Sequence, residues 1–419
     1  MVNFSLQWHI TQKCGNNCRH CYMDQSEYDL TFDDYLVCIN NIALFEKKED
    51  FIVKHIVLTG GDPLLNQNWF DIAKDIKLRG KRLSFLGNPE TLTETNLDKI
   101  SSLSLQMFQL SLDGMRETHD KLRYEGSFDK TIDGIKKLND HGIPVGIMFT
   151  LSNENEDNLI DLIEFLDSLK IKMSFAFDFV IETGNAYINQ ITGKVNKLGV
   201  FDKYIELKNQ LYAKGTDLVL QEKPSQLFAY KNMGIINDSI NEKIPFSVCS
   251  GCGAGWKHLT IVKKGDVLAC RRMPIIVGNL FKDSFEDILL NSPHLKELRS
   301  LETLGECSSC LFRKFCRGCP ADNYATTGTL FKSEKGCTWY KPIAESQLLI
   351  RKEWEKLKDR LFLESILEND KKDFIKANII LCKKNERDHF LVDSADWLNK
   401  HNLDLTQEEI GTLLFLSIR

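Results

Sequence analysis

The pattern of apolar and polar positions along the first part of the chain predicts strands that alternate with helices. Short apolar runs rich in Val, Ile, Leu and Phe indicate six strands: Phe4–Thr11, Lys54–Thr59, Arg82–Gly87, Gln106–Leu112, Pro144–Thr150 and Met173–Phe179. Between them lie stretches with helical spacing: Phe32–Lys47, Asn68–Arg79, Thr95–Ser101, Phe128–His141 and Asn155–Leu169. Such an order favours parallel pairing with right-handed crossovers, which gives an open sheet or an incomplete barrel.

The position of the polar, turn-forming clusters favours the barrel. One cluster follows the end of each predicted strand: Cys14–Tyr22, Gly60–Pro63, Gly87–Pro89, Ser111–Gly114, Thr150–Asn153 and Glu182–Asn185. Barrels of parallel strands carry their chemistry at the rim formed by the C-terminal strand ends. We therefore predict an α/β fold that begins with an incomplete (β/α)6 TIM-like barrel.

The first group of cysteines follows the first predicted strand. Spacings of four and three residues let one loop place three thiolates around a single metal centre: Cys14, Cys18 and Cys21. Three protein ligands leave one iron of a four-iron cluster open, and an open position marks a reactive rather than a structural site. The alternative is structural zinc, with His20 or His9 as the fourth ligand.

A second group of cysteines lies in the last half of the chain. Its eight members are Cys249, Cys252, Cys270, Cys307, Cys310, Cys316, Cys319 and Cys337. A predicted hairpin, Trp256–Val262 and Val267–Arg271 around a Lys-Lys-Gly-Asp turn, carries Cys270 back towards the first two. Eight thiolates suffice for two four-iron clusters, with two four-cysteine zinc sites as the alternative. Of the 13 cysteines, Cys38 and Cys382 remain, and we expect both to be small core residues.

Composition narrows the class of protein. The net charge is −5, with 54 basic and 59 acidic residues well mixed, which argues against nucleic acid as the main partner. No apolar run is long enough to span a bilayer, so no membrane partner is expected. The N-terminal residues lack the pattern of a secretory signal, so we expect a cytoplasmic protein. Clustered cysteines in a reducing compartment indicate metal or redox chemistry.

The segment CGNNCRHCY resembles the signature of the radical S-adenosylmethionine superfamily. The resemblance implies that the first three cysteines hold a [4Fe–4S] cluster and that S-adenosylmethionine binds its open iron. The cofactor then carries the difficult chemistry: an electron, supplied by a donor such as flavodoxin or ferredoxin, cleaves it to a 5′-deoxyadenosyl radical that removes hydrogen from the substrate.

The same resemblance implies a set of cofactor contacts. The run Gly60-Gly61-Asp62-Pro63 is similar to the glycine-rich element that binds the methionine amino group, with Asp62 in place of the usual Glu. Arg123 matches an arginine that pairs with the methionine carboxylate, a task that suits its forked guanidinium. The remaining implied contacts are Tyr22, Asn88, Ser111 and Asp113. No residue is assigned as a catalytic acid or base.

The second cysteine group resembles the SPASM auxiliary-cluster domain, and its Gly-x4-Cys hallmark corresponds to Gly265 and Cys270. The resemblance implies a nearer cluster on Cys249, Cys252, Cys270 and Cys319, and an outer cluster on Cys307, Cys310, Cys316 and Cys337. Three [4Fe–4S] clusters are then expected in all. One departure is the two-residue gap between Cys316 and Cys319, where three residues are common.

Three domains are predicted: a partial barrel over 1–235, a loop-rich, cysteine-rich auxiliary iron–sulfur domain over 236–342, and a small C-terminal α/β tail over 343–419. In the tail, spacing predicts helices over Glu345–Leu367 and Leu398–Leu416, with Thr406 as a helix-start signal within the second. A hairpin is predicted from Phe374–Cys382 and His389–Val392.

The substrate is the least determined part of the prediction. Arg271 stands where sulfatase-maturating enzymes carry an Asp, which argues against that activity. An incomplete barrel leaves a lateral opening, so we expect a peptide or protein substrate that receives a cross-link, a thioether or a related modification. The enzymatic alternative is a small-molecule or tetrapyrrole cofactor precursor. The non-enzymatic alternative is a zinc or iron–sulfur scaffold or electron carrier.

Overall fold

The strands form one sheet. A computed structural model of the protein describes residues 2–23, 26–48, 51–224, 252–299, 318–330, 393–401 and 403. In this part of the chain the strands are β1 Val2–Thr11, β2 Phe51–Gly60, β3 Arg82–Leu86, β4 Met107–Ser111, β5 Val145–Leu151, β6 Met173–Phe179, β7 Leu218–Leu220, β8 His258–Ile261, β9 Asp266–Cys270 and β10 Met273–Asn279. Their order across the sheet is β10-β9-β8-β1-β2-β3-β4-β5-β6-β7.

The sheet confirms the predicted α/β architecture. Strands β1 to β7 pair in parallel with their neighbours, and all six predicted strands form. Within the described residues the sheet does not close, because β7 and β10 pair on one side only. The predicted hairpin also forms: β8 and β9 are antiparallel around a short turn, and β8 extends the sheet in parallel with β1. Sequence analysis missed β7 and β10.

Helices connect the strands and cover one face of the sheet. They are α1 Phe32–Lys48, α2 Trp69–Leu78, α3 Glu94–Ser101, α4 Arg116–Leu122, α5 Ser127–Asp140, α6 Asn158–Ser168, α7 Asn185–Ile188, α8 Lys197–Lys214, α9 Pro293–Arg299, α10 Pro320–Thr327 and α11 Ser394–His401. Single turns of 3₁₀ helix lie at Pro63–Leu65 and Pro89–Thr91, immediately after two of the strands. Among the described helices, none is long and apolar enough to cross a bilayer.

The two faces of the sheet differ in polarity because side chains alternate along each strand. On β1, Leu6, Trp8 and Ile10 are fully buried against the helices, and the Trp8 ring lies 5.2 Å from that of Tyr35. The intervening residues, among them Gln7, lie on the opposite face, which we call the inner face. The sheet curls around this face, because Arg272 beyond β9 pairs with Asp178 on β6 at 2.9 Å.

The tail differs from its prediction where it is described. The described helix begins at Ser394, four residues before the predicted start at Leu398, and extends to His401. Leu403 is not helical, and residues 402 and 404–416 of the predicted helix lie outside the described residues. The reason for the earlier start is local capping: the Asp393 carboxylate accepts a hydrogen bond from the backbone N–H of Asp396 at 2.9 Å, a helix-start signal upstream of the predicted one. The other predicted tail elements, over 345–367 and 374–392, lie outside the described residues. Cys38 is fully buried in the core, as predicted, and Cys382 lies outside the described residues.

The core packing predicts a contrast between two leucines. Leu83 on β3 is fully buried, whereas Leu78 at the end of α2 is 87% exposed. We expect Leu83→Ala to destabilise the protein by about 2–5 kcal/mol, because it leaves a cavity in a packed core. Leu78→Ala is the matched control and should change stability little. Unfolding midpoints measured by circular dichroism under anaerobic conditions compare the two, and equal midpoints would contradict this account of the core.

Candidate functional site

The first cysteine group lies in a loop that follows β1 at the C-terminal rim of the sheet. Its three thiols are half-buried: Cys14, Cys18 and Cys21. Backbone contacts hold the loop from two sides. The Arg19 N–H donates to the carbonyl of Leu122 at 2.9 Å. Asn185, at the start of α7, donates its backbone N–H to the Cys21 carbonyl at 2.8 Å and its side-chain amide to the Cys18 carbonyl at 3.0 Å. The loops after β4 and β6 therefore fix the cysteine loop.

The two glycines after β2 lie in direct backbone contact with the cysteine loop. The N–H of Gly61 donates to the Thr11 carbonyl at 3.0 Å, and that of Asp62 donates to the Lys13 carbonyl at 2.8 Å. A Cβ atom at Gly60 would lie 2.0 Å from the Thr11 oxygen, and one at Gly61 would lie 2.1 Å from the Lys13 oxygen. Gly60 also has a φ of +142°. Only glycine fits this close approach.

The Asp62 carboxylate is directed into the protein. It is 1% exposed, and it accepts hydrogen bonds from the Leu64 N–H at 3.2 Å and from the Thr91 hydroxyl at 2.8 Å. Burial raises the pKa of Asp62 to about 6, although these two hydrogen bonds oppose the shift. The side chain thus ties the glycine element to the Pro89–Thr91 turn. Pro63, buried, begins the 3₁₀ turn that Asp62 caps. A direct cofactor contact of Asp62 stays a prediction.

Two polar side chains approach the thiols. The Asn88 amide donates to Cys14 Sγ at 3.4 Å, and the Arg123 guanidinium donates to Cys18 Sγ at 3.6 Å. Burial raises the pKa of Cys14 and of Cys21, which disfavours the free thiolate. Hydrogen-bond donors and an adjacent positive charge favour the thiolate form that a metal requires. The donor set therefore fits a bound metal cluster.

A buried ion pair orients Arg123. Its Nε and Nη2 atoms both lie 2.7 Å from one carboxylate oxygen of Asp113, which is fully buried. The other oxygen of Asp113 accepts from the Thr150 N–H at 2.7 Å. Burial alone would raise the pKa of Asp113, but the Arg123 charge holds it below its usual range. Because both carboxylate oxygens of Asp113 accept hydrogen bonds from the protein, Asp113 positions Arg123. The predicted cofactor contacts of Asp113 and Arg123 stay predictions.

His20, one candidate for a fourth zinc ligand, instead lies 3.5 Å from Asp113, and burial lowers its pKa to about 4. Throughout the described ranges no three His, Cys, Asp or Glu side chains converge on one point as a single metal ion would require. A four-iron cluster binds each thiolate at a different iron and does not require such convergence. Ser111 ends β4 and Tyr22 follows Cys21, both half-buried at the same rim.

Three members of the second cysteine group are described, and all lie near Arg272: Cys252, Cys270 and Cys319. Burial would lower the pKa of Arg272, but the negative charges of Asp178 and of the three cysteines raise that pKa above its usual range. Burial raises the pKa of Cys319, and the nearby Cys252 adds to the shift. Three of the four ligands predicted for the nearer cluster thus lie around Arg272, and their role as cluster ligands stays a prediction. The other five cysteines lie outside the described residues: Cys249, Cys307, Cys310, Cys316 and Cys337.

Of the polar residues Gln7, His9 and Lys223 on the inner face between the two cysteine groups, only His9 was considered from the sequence, as a possible zinc ligand. Gln7 and His9 on β1 are 3% and 4% exposed, and each has a side-chain nitrogen without a hydrogen-bond partner in the described part of the chain. Lys223, just after β7, lines a cavity of about 290 Å³ on the same face. The alternation in the β1 sequence SLQWHIT is a signal that points to Gln7 and His9, whereas Lys223 has no such signal.

The regions that carry the first and the second cysteine group each match a known protein family. Residues 8–166 match the radical SAM superfamily, and residues 252–320 match the SPASM iron–sulfur cluster-binding domain. An AdoMet-dependent heme synthase of Methanosarcina barkeri is 27% identical, over 80% of this chain and 96% of that protein. The subtilosin biosynthesis protein AlbA of Bacillus subtilis is 26% identical, over 74% of this chain and 65% of that protein.

The fold is also similar to a solved structure. SuiB of Streptococcus suis, crystallised with its precursor peptide SuiA, superposes with a TM-score of 0.64 at 18% identity, covering 80% of this chain and 76% of SuiB. At that identity the similarity supports the fold alone.

The close backbone approach predicts that Gly61 and Gly15 differ in their tolerance of alanine. A Cβ at Gly61 would clash with the cysteine loop, whereas a Cβ at Gly15, within that loop, meets nothing within 4 Å. Overpacking costs roughly 1–3 kcal/mol, so we expect Gly61→Ala to weaken S-adenosylmethionine binding about ten-fold and to reduce iron content. Gly15→Ala should retain both. Anaerobic equilibrium dialysis and iron analysis provide the measurement, and equal behaviour of the two variants would refute the assigned role of the contact.

Proposed function

Because the chain is a radical SAM enzyme that carries a SPASM domain, we propose that it modifies a peptide or protein. In this proposal the enzyme cleaves S-adenosylmethionine reductively, and the 5′-deoxyadenosyl radical abstracts hydrogen from a substrate side chain to begin a cross-link, a thioether or a related modification. A low-potential protein such as flavodoxin or ferredoxin supplies the electrons. The cofactor provides the radical chemistry, while the protein binds, orients and excludes water.

The proposed radical site is the rim at the end of β1 and β2. Cys14, Cys18 and Cys21 would hold a [4Fe–4S] cluster, and that cluster would supply the electron for reductive cleavage of S-adenosylmethionine. Gly60 and Gly61 hold the backbone of this element against the cysteine loop, beside the position proposed for the methionine amino group. Arg123, held by Asp113, offers a fixed positive charge to the methionine carboxylate. Pro63, Tyr22, Asn88 and Ser111 complete the proposed contacts.

The proposed auxiliary site lies on the hairpin and beyond it. We assign one cluster to Cys249, Cys252, Cys270 and Cys319, and a second to Cys307, Cys310, Cys316 and Cys337, which gives three clusters in the chain. Support comes from the proximity of Cys252, Cys270 and Cys319 around Arg272. The domain division that accompanies this assignment is 1–235, 236–342 and 343–419.

One observation carries the choice of a peptide substrate: in the described part of the chain, the inner face is open at the side between the two unpaired edges, β7 and β10. An extended peptide can enter through such an opening and lie along the inner face, and exposed strand edges are surfaces to which peptides add. The names of two relatives agree with this chemistry, because SuiB was crystallised with a precursor peptide and AlbA takes part in bacteriocin biosynthesis.

A second candidate is a tetrapyrrole cofactor precursor. Two observations favour it: the heme synthase relative is matched over 96% of its length, and the inner face carries Arg271 and Arg272, which suit an anionic substrate. Iron coproporphyrin III, a tetrapyrrole with carboxylate side chains, is the appropriate test compound for this candidate.

The deciding experiment supplies the reconstituted enzyme with S-adenosylmethionine, a reductant and one substrate at a time. The peptide arm uses a short peptide encoded beside this gene, deuterated at its side chains, and the second arm uses iron coproporphyrin III. We expect deuterium to appear in 5′-deoxyadenosine and the peptide mass to fall by the hydrogens lost. Mass spectrometry reads both changes. Turnover of the porphyrin with an unchanged peptide would replace the peptide proposal by the second candidate.

The assignment of the first cysteine group predicts the outcome of its removal. The triple variant Cys14→Ala, Cys18→Ala, Cys21→Ala should form no 5′-deoxyadenosine, and it should keep about eight of about twelve irons per chain. Cys38→Ala is the matched control, because Cys38 is a buried core residue of α1, and it should retain iron and activity. Undiminished 5′-deoxyadenosine from the triple variant would reject the radical site, and stoichiometric zinc in the parent protein would reject the auxiliary clusters.

A further inference from the structure

The inner face holds more hydrogen-bond donors than the protein itself satisfies. Arg271 donates to Gln7 Oε1 at 3.1 Å, and this contact leaves the Gln7 amide nitrogen buried without a partner. The Nε of Arg272 is likewise buried and without a partner among the described residues. Buried polar groups are normally hydrogen-bonded, so each of these two unsatisfied donors can take a further acceptor.

The same region carries an excess of positive charge. Arg272 is paired with Asp178 at 2.9 Å and also donates to the Phe179 carbonyl, so its charge is balanced. Arg271 contacts Gln7 and the Tyr22 ring, 5.9 Å away, but no carboxylate in the described part of the chain. Arg271 thus has no carboxylate in direct contact among the described residues, and Asp178 is engaged by Arg272.

Lys223 adds a third cation. Its side chain is accessible from the cavity and lies 3.8 Å from Met148 Sδ, again with no carboxylate in contact within the described residues. Burial and the charges of Arg271 and Arg272 lower the pKa of Lys223 to about 7, and Asp178 opposes the shift. Lys223 lines the cavity together with Ala176 of β6, two residues before Asp178, the partner of Arg272, so the cations lie on neighbouring parts of the inner face. The two neighbouring histidines do not add charge, since burial lowers the pKa of His9 and of His258 to about 3.

We propose that Arg271, Lys223 and Gln7 form a subsite that binds a carboxylate group of the substrate. The ligand must accept hydrogen bonds and donate none, and a carboxylate accepts both from a guanidinium fork and from an ammonium group. The inference rests on the proposed function, because it takes the inner face as the substrate site. An acidic peptide side chain or terminus and a tetrapyrrole propionate share this chemistry, so the subsite serves either substrate.

The test compares acidic probes with their neutral counterparts. One pair is iron coproporphyrin III and its methyl ester, and the other is a glutamate-containing peptide and the same peptide with glutamine. Dissociation constants are measured anaerobically on the reconstituted full-length enzyme with S-adenosylmethionine present. We expect at least one acid to bind about ten-fold more tightly than its neutral form, as a charge-assisted hydrogen bond would give. The pair that shows the preference identifies the source of the carboxylate.

Variants locate the preference. Arg271→Gln and Lys223→Gln should each reduce it to near equality, and Arg271→Lys should restore part of it, since an ammonium keeps the charge but not the fork. Arg82→Gln is the matched control, because Arg82 is exposed and is the first residue of β3, at the end of the strand away from the cysteine loop. This variant should keep the full preference for the acidic probe. Circular dichroism and iron content verify that each variant folds, and Lys223→Gln serves alone if Arg271→Gln disturbs the neighbouring cysteine.

Two results would overturn the subsite: neither acid outbinds its neutral form, or both glutamine variants, correctly folded, retain the parental preference. The proposed function is tested separately by 5′-deoxyadenosine formation in the parent enzyme. A carboxylate preference without that product would reject the proposed reaction and leave the subsite standing.

Discussion

The loop that carries the first three cysteines is held by backbone contacts rather than by its own side chains. The carbonyls of Thr11 and Lys13, at and just beyond the end of β1, accept hydrogen bonds from the backbone N–H groups of Gly61 and Asp62, just beyond β2. The two backbones can approach this closely only because Gly60 and Gly61 lack side chains. Parallel neighbours end at the same rim, so the contact joins two loops that the sheet already places side by side. The positions of the thiols therefore depend on the pairing of β1 with β2 and on the absence of side chains at Gly60 and Gly61.

A second constraint is the balance of buried charge beneath that loop. Asp113 and Arg123 neutralise each other in a buried site, where an unpaired charge would be costly. The two nearby histidines, His20 and His119, stay neutral because burial lowers the pKa of each to about 4. His119 accepts a hydrogen bond at Nδ1 from the Asp113 N–H at 2.9 Å, which requires its neutral form. The guanidinium near Cys18 is thus fixed in place with one permanent charge.

Much of this arrangement could be predicted from the sequence, for physical reasons. The six predicted strands are marked by runs rich in apolar residues, and the cysteine loop has spacings typical of metal chemistry. β7 escaped prediction because its apolar run, Leu218–Leu220, is only three residues long. The interactions of Asp62 and of Arg271 depend on partners more than 25 and 250 residues away, respectively, and no local pattern reports them. The start of helix α11 was predicted four residues too late because the capping signal at Asp393 was overlooked.

The pairing of β8 with β1 has a consequence for the chemistry. Residues from Ser5 to Trp8 pair with those from His258 to Ile261, so the hairpin that carries Cys270 belongs to the same sheet as the loop that follows β1. The separation between the two cysteine groups is then set by strand register and not by a linker. Tyr22, directly after Cys21, lies 5.9 Å from Arg271, directly after Cys270, and the two residues lie between the two groups. A substrate anchored at Arg271 would consequently be held at a fixed distance from both cysteine groups, which is the geometry needed if hydrogen is removed on one side and the remaining electron is accepted on the other.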